Sequence, residues 1–490
     1  MTKLDPDLQS IQDVRNALQE AKHAQKLLER LSQEEIDAIV ASMAKGAELE
    51  ARRLAALACE ETGFGRVEDK TAKNLFAARD VHAAIQGMKT VGIIRRDEAA
   101  KVWEVAQPVG IVAGIIPSTN PTSTVIFKSL IALKARNAIV FSPHPSAARC
   151  CAETAGVMAR AAEQAGAPAG VIHCLTQPTL AATRELMSHK LTDMILATGG
   201  TAMVKAAYSS GKPALGVGPG NVPVYIHSSA NIKEAVRRII QSKTFDYGTI
   251  CASEQALIVD RAVKEELVGE LKDQGAYFLN PSEKDKVAGV IMSGSGLNPS
   301  IVGKPPQTIA EMAGITVPAD TRVLIAEEDS VGKDVPFAIE KLSPVLALYT
   351  VLNWQEGCAK SIELLEFGGL GHTLGIHCEE QSVIEAFGLE KPASRIVVNT
   401  GTTFGGIGAT TGLFPSMTLG CGSYGNNITS DNIGPQHLLN IKRVAFGIRE
   451  MNREVSEPGE DLKETVNSKI SISRKDVEEI VKRVLSEMKA

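Results

Sequence analysis

Residues 108–145 read PVGIVAGIIPSTNPTSTVIFKSLIALKARNAIVFSPHP. Val109 to Ile116 is a continuous apolar run of strand length, and Pro117 to Pro121 punctuates it. Ser123 to Arg136 is then long enough for a helix, and Ala138 to Ser142 is apolar again. A strand without polar alternation is covered on both faces, and two such strands joined by a helix form a parallel pair. The stretch predicts a β-α-β unit, and the fold class is α/β.

The theme continues on both sides. Val171 to Leu175, Asp193 to Ala197 and Val222 to Ile226 read as further strands. Ala147 to Ala165, Thr179 to His189 and Gly200 to Ser210 are the helices between them. A second set of strands follows at Gln255 to Val259, Val323 to Ala326, Val345 to Val351 and Ile396 to Asn399. Two α/β domains are expected, with the boundary at the helix Asn231 to Lys243, so that the first spans 1–240 and the second 241–424. A ligand shared by two such domains should sit in the cleft at the C-terminal ends of their strands. Upstream, Leu8, Ile11, Val14, Leu18, Ala21 and Leu28 keep a three/four spacing, and Ser32 with Glu35 forms a capping box for a second helix.

Beyond Phe446 the composition changes. Residues 447 to 490 hold no aromatic and no cysteine, and Met451 to Ser471 is polar around Pro458-Gly459. Residues 447–472 are expected to be a linker. At 473–490, Ser473 and Asp476 form a capping box ahead of one apolar stripe, Val477, Ile480, Val481, Val484, Leu485 and Met488. So short a helix is marginal alone, and its stripe needs a partner.

Composition excludes several classes. The chain has 490 residues, a formal net charge of −5, and Lys+Arg at 52 against Asp+Glu at 57. That balance offers no basic field for nucleic acid. No apolar run approaches the roughly 20 residues of a membrane span, and the first ten residues lack a secretory pattern. A cytoplasmic protein is expected, its eight cysteines held as thiols. No CxxC or zinc-type spacing occurs, so no metal is expected.

Cys251 stands in Thr244-Phe-Asp-Tyr-Gly-Thr-Ile-Cys-Ala-Ser-Glu-Gln255, on a segment entering a strand. A thiol at the edge of a sheet there could attack an electrophilic carbonyl; a half-buried structural cysteine is the alternative. Ala197-Thr-Gly-Gly-Thr-Ala-Met-Val204 follows a strand and opens a helix, where free N–H groups suit an anionic cofactor. Gly216-Val-Gly-Pro-Gly-Asn221 leads into a strand. His372, in a loop of glycines, is placed for proton transfer or for capping a helix. Glu340, before a strand, could accept from sugar hydroxyls, and Asn120 could donate to an oxyanion or simply shape a turn.

Taken together these segments resemble the aldehyde dehydrogenase superfamily, in particular its coenzyme A-acylating branch and the acetaldehyde dehydrogenase half of the bifunctional aldehyde-alcohol dehydrogenases. The resemblance runs from about Leu8 to Ala445. It rests on Pro117 to Ser123, Phe141 to Pro145, Ala197 to Pro213, Thr244 to Gln255, Glu340 to Pro344, Gly368 to Thr373 and Thr418 to Ser423. It implies a Rossmann-like cofactor domain, an α/β catalytic domain and an oligomerisation β-flap at 425–446. It also implies Cys251 as nucleophile, His372 beside it, and Asn120 as an oxyanion donor, although the hydrolytic branch places that asparagine one residue earlier, where Thr119 stands. Thr198, Gly199, Gly200 and Thr201 would hold a pyrophosphate and Glu340 a nicotinamide ribose. Pro117, Ser142, His144, Gly218 and Pro344 would complete the cofactor site.

The hydrolytic branch carries a water-activating glutamate in the segment equivalent to Gly216 to Asn221. Here no Asp or Glu occurs between Asp193 and Glu234, so a thiol acceptor, coenzyme A, fits better than water. NAD is favoured over NADP, and a short aldehyde such as acetaldehyde or propanal is the expected substrate. The alternatives are an anionic aldehyde, succinate semialdehyde or sulfoacetaldehyde, and an inactive scaffold with a targeting tail. A homodimer or homotetramer is expected, and the tail resembles the encapsulation peptides that bind bacterial microcompartment shell proteins.

Overall fold

The computed structural model describes residues 5–294, 296–449, 451 and 473–487. They cluster into two units, Met1–Arg95 with Trp103–Arg443, and Arg96–Val102 with Val444–Ala490. The expected linker, apart from residues 447–449 and 451, lies outside the described residues, as does Met488 of the expected stripe.

The larger unit opens with α1 (Pro6–Leu28) and α2 (Gln33–Thr62). Val14, Leu18, Ala21 and Leu28 of α1 are buried as the spacing requires, whereas Leu8 is exposed. Ser32 caps α2 through the expected capping box, and Gly63, at φ +68°, ends it in the left-handed conformation that glycine adopts without strain. α3 (Val67–Leu75), a π-helical turn (Phe76–Val81) and α4 (His82–Ile85) follow.

β1 (Gly92–Asp97) and β2 (Val102–Pro108) lead into the first large sheet. It consists of β3 (Ile111–Ile116), β4 (Ala138–Pro143), β5 (Ile172–Cys174), β6 (Met194–Thr198) and β7 (Ala214–Val217), in the order β5-β4-β3-β6-β7. Every pairing is parallel. The order reverses direction at β3 and β6, the switch point where such sheets leave a crevice. α5 (Pro121–Lys134) crosses between β3 and β4 and is buried from end to end, which is why apolar residues are not confined to one stripe of it. Its Lys128 donates to the Ile115 and Leu196 carbonyl oxygens at 2.7 and 2.8 Å, so the buried amino group, whose pKa burial pushes well down, does not go unpaired.

The second sheet contains β8 (Val222–Ile226), β9 (Glu254–Asp260) and β10 (Ala276–Phe278). A small hairpin, β11 (Met292–Ser293) with β12 (Gly296–Leu297), stands apart from it. β13 (Val323–Glu327), β14 (Val345–Val351), β15 (Gly371–His377) and β16 (Ala393–Val398) complete the order β10-β13-β14-β9-β8-β15-β16, all parallel. β17 (Leu439–Ala445) pairs in a three-stranded sheet of order β1-β2-β17.

Three expectations change. Val222–Ile226 pairs with β9 and β15, so the sheets part between Val217 and Val222 and not at the helix Ile232–Thr244. A strand's partners are set by long-range pairing, which local pattern does not carry. Cys251 precedes β9, the middle strand of seven, and so lies at the end of a central strand and not at a sheet edge. The stretch around His372, read as a glycine loop, is β15, buried along its whole length.

Candidate active site

The two sheets face one cavity of about 370 Å³ with opposite ends. The first sheet contributes the C-terminal ends of its strands, Ile115 and Ile116 of β3, Ser142 and Pro143 of β4, Thr198 of β6 and Val217 of β7. The second contributes residues just before its strands begin: Gly218 and Pro219 before β8, Cys251 before β9, and Glu340 and Leu342 before β14. The expected meeting of C-terminal ends therefore holds for the first sheet only. The switch-point crevice of one sheet is closed by the other sheet's N-terminal side.

Of the residues singled out in the sequence, Cys251, Asn120, Thr198, Gly199, Gly200, Pro117, Ser142, His144, Gly218 and Glu340 line the cavity. Two do not. Thr201 is exposed at the first turn of the helix Thr201–Tyr208, and Pro344 is buried where the chain enters β14, its carbonyl accepting from Leu324 N–H at 3.0 Å. Leu342, two residues before Pro344, takes the wall position at φ +45°. His372 stands behind the sulfur, fully buried, with Nε2 3.2 Å from Cys251 Sγ and Nδ1 3.0 Å from Thr373 Oγ1.

Electrostatics follow from burial. Desolvation pushes the Cys251 thiol up to about 12, with Glu340 and Cys421 adding to the rise and Arg395 opposing it. Desolvation, helped by Arg395, holds His372 down to about 3, so thiol and imidazole are both neutral. Burial raises Glu340 to about 7, partly offset by the hydrogen bond that Gly220 N–H donates to its Oε1 at 3.0 Å. Gly220 is confined further. A Cβ there would lie 2.3 Å from the Cys251 carbonyl oxygen and 3.1 Å from the His372 ring.

Asn120 is engaged on both sides. Its amide nitrogen donates to Thr119 Oγ1 and to the Thr249 carbonyl, each at 3.2 Å, and its Oδ1 accepts from Lys73 Nζ. With both amide protons used, it braces the segment leading to Cys251 and presents no free donor. Lys73 belongs to a buried cluster that local sequence did not reveal. The Asp246 carboxylate accepts from Lys70 Nζ at 2.9 Å, from Arg66 N–H at 2.7 Å, from Thr249 Oγ1 at 2.8 Å and from Lys73 Nζ. Asp246 and Tyr247 sit at φ +50° and +51°, so the turn before Cys251 is held in a conformation that non-glycine residues seldom adopt.

The cavity suits a cofactor of the expected kind. Gly200 is the N-cap of the helix Thr201–Tyr208 with open space where its Cβ would be, so backbone N–H groups face the crevice unobstructed. Ile250, Ile407, Met417 and Leu419 add an apolar wall, and Glu340 is the one carboxylate among the lining residues, which include no lysine or arginine.

A family model described as the aldehyde dehydrogenase family matches residues 6–295. The aldehyde-alcohol dehydrogenase of Streptococcus pneumoniae serotype 4 is 49% identical over 80% of this chain and 45% of its own length. The chain spans about half the length of the curated aldehyde-alcohol dehydrogenases it matches. The solved structure of an acetylating aldehyde dehydrogenase from Geobacillus thermoglucosidasius superposes with a TM-score of 0.91 at 70% identity, over 92% of this chain and 100% of that one. A propionaldehyde dehydrogenase from the Clostridium phytofermentans fucose utilisation bacterial microcompartment gives 0.81 at 27% identity, over 90% and 98%. The matched family model over more than half of the chain, the facing sheets and these relatives together make the chain a member of the aldehyde dehydrogenase family.

Proposed function

We propose that this chain oxidises a short uncharged aldehyde, acetaldehyde or propanal, with NAD and coenzyme A to the acyl-coenzyme A, and runs the reverse reaction too. The observation that carries this reading is a half-buried thiol backed by a histidine at 3.2 Å, on a wall whose one carboxylate among the described lining residues is already bonded to Gly220 N–H.

Cys251 Sγ adds to the carbonyl carbon and its proton passes to the carbonyl oxygen, giving a thiohemiacetal. Loss of hydride and of the hydroxyl proton leaves a thioester on Cys251. The sulfur of coenzyme A then adds to that thioester, and Cys251 is expelled and reprotonated. Bound NAD supplies the hydride acceptor; the Thr198–Gly200 turn would hold its pyrophosphate and Glu340 its ribose, with Pro117, Ser142, His144 and Gly218 around it. No second carboxylate stands ready to activate water, so a thiol is the acceptor. The absence of lysine and arginine from the lining supports NAD over a 2′-phosphorylated cofactor and a neutral aldehyde over an anionic one.

Replacing Cys251 by alanine should abolish coenzyme A-dependent NADH formation, and substantial residual turnover would overturn the assignment. Free acid as the main product would move the chain to the hydrolytic branch. An aldehyde panel that favoured succinate semialdehyde would overturn the neutral-substrate reading.

The tail supports a cytoplasmic enzyme carried into a bacterial microcompartment. Ser473 N–H donates to Asp476 at 2.8 Å and the Asp476 N–H returns to Ser473 Oγ at 3.3 Å, closing the expected cap on the helix Arg474–Glu487. Val477, Ile480, Val481 and Val484 are exposed along one stripe. Deleting residues 473–490 should leave activity intact and abolish co-fractionation with shell proteins. Assembly as a dimer or tetramer through the strand Leu439–Ala445 is part of the same reading; alanine replacements of Ile441 and Val444 should lower the mass in solution.

A further inference from the structure

Thr373 and Arg395 are registered neighbours on β15 and β16, so their side chains leave the sheet on the same face. Arg395 is buried and spends its donors around His372. Its Nη2 donates to the His372 carbonyl at 2.9 Å, its Nε to Thr373 Oγ1 at 3.3 Å, and its Nη1 to the Ser430 carbonyl at 3.2 Å and Asn432 Oδ1 at 3.4 Å. Arginine has no acceptor, so Thr373 Oγ1 must receive that bond. The threonine proton is then left with one acceptor in reach among the described residues, His372 Nδ1 at 3.0 Å. The opposite arrangement, with the proton on Nδ1, would strand a buried hydroxyl proton.

We propose that the Thr373 hydroxyl, gripped by Arg395, fixes His372 as the tautomer protonated on Nε2, so that the ring donates a hydrogen bond to the Cys251 sulfur and does not act as its base. The sulfur then has this ring N–H as a donor at 3.2 Å. The bond favours the thiolate, which is the attacking form and also the form expelled when coenzyme A takes the acyl group. Gly220 completes the arrangement, because only a residue without a side chain leaves room for the ring. Thr373 and Arg395 are positioning residues for the thiol. The proposal rests on the nucleophilic reading of Cys251, but its test does not require turnover.

The test is the pH dependence of iodoacetamide alkylation at Cys251, followed by peptide mass spectrometry on the full chain. The groups facing the sulfur are Glu340 and Cys421, which oppose ionisation, and Arg395, which favours it; all stay unchanged in the variants below. Losing one hydrogen bond to a charged sulfur should raise the apparent thiol pKa by about one unit, a tenfold loss of thiolate. T373V should show that rise, and T373S, which keeps the hydroxyl, should restore the original profile. H372Q places an amide N–H near the position of Nε2 but cannot take up a proton, so a donor role predicts a profile close to the original, with H372A raised. Unchanged alkylation in T373V, or H372Q and H372A raised equally, would overturn the proposal. Full turnover in C251A with these shifts intact would instead sink the catalytic reading and leave the tautomer standing. Should T373V fail to fold, the H372Q and H372A pair decides alone.

Discussion

Asp246→Asn offers a sharp test of what holds the turn that precedes Cys251. Asparagine is the same size and tolerates the left-handed conformation at φ +50°, so the substitution removes charge and little else. Lys70 and Lys73, whose side chains are 3% and 2% exposed, lose their countercharge. Removing one partner of a buried ion pair costs about 3–5 kcal/mol, a large part of the 5–15 kcal/mol that stabilises a typical protein. The penalty should depend on pH in a defined way. Burial alone would raise the Asp246 pKa, but Lys73 and Lys70 more than offset it and leave it below the ordinary value. Its contribution is therefore full above about pH 4 and fades as pH falls through the folded value. Burial lowers Lys73 to about 8 despite Asp246, so above that pH the ammonium is gone from the native protein and less is lost with the carboxylate. Urea midpoints at pH 3, 6 and 9 should give the largest difference between native and D246N protein at pH 6. A difference below about 1 kcal/mol there, or one independent of pH, would refute the idea that this carboxylate neutralises the cluster.

Gly220→Ala should cut turnover at least a hundredfold while leaving far-UV circular dichroism unchanged, because the new Cβ would lie 2.3 Å from the Cys251 carbonyl oxygen and displace the thiol or the ring. On the proposed ribose role of Glu340, the nicotinamide cofactor's KM should rise as pH falls through about 7 and the carboxyl becomes protonated, and Glu340→Gln should flatten that dependence. The same raised pKa makes native stability decline as pH rises from about 4 to 7, since the folded state holds the proton longer; urea midpoints should show E340Q more stable than native protein above pH 7. Asn120→Asp introduces a second acceptor beside the Thr249 carbonyl in place of a donor, and should lower kcat more than it raises either KM in steady-state assays.

The α/β class was legible in residues 108–145, because a strand buried on both faces must be apolar throughout, and that requirement is local. Ser32 and Ser473 announced their helices for a similar reason, since a cap and its reciprocal acid lie three residues apart. Cys251 stood out from its neighbours in the chain and from the order of segments shared with the family. Tertiary structure alone decided where those segments meet. The Cys251–His372 contact joins residues 121 apart, and the Lys73–Asp246 pair spans 173. It also decided that His372 lies in a buried strand, that Val222–Ile226 belongs to the second sheet, and that Leu342 and not Pro344 lines the cavity. Periodicity records which face of an element is covered; the choice of covering partner depends on pairing, charge and fit between elements distant in the chain.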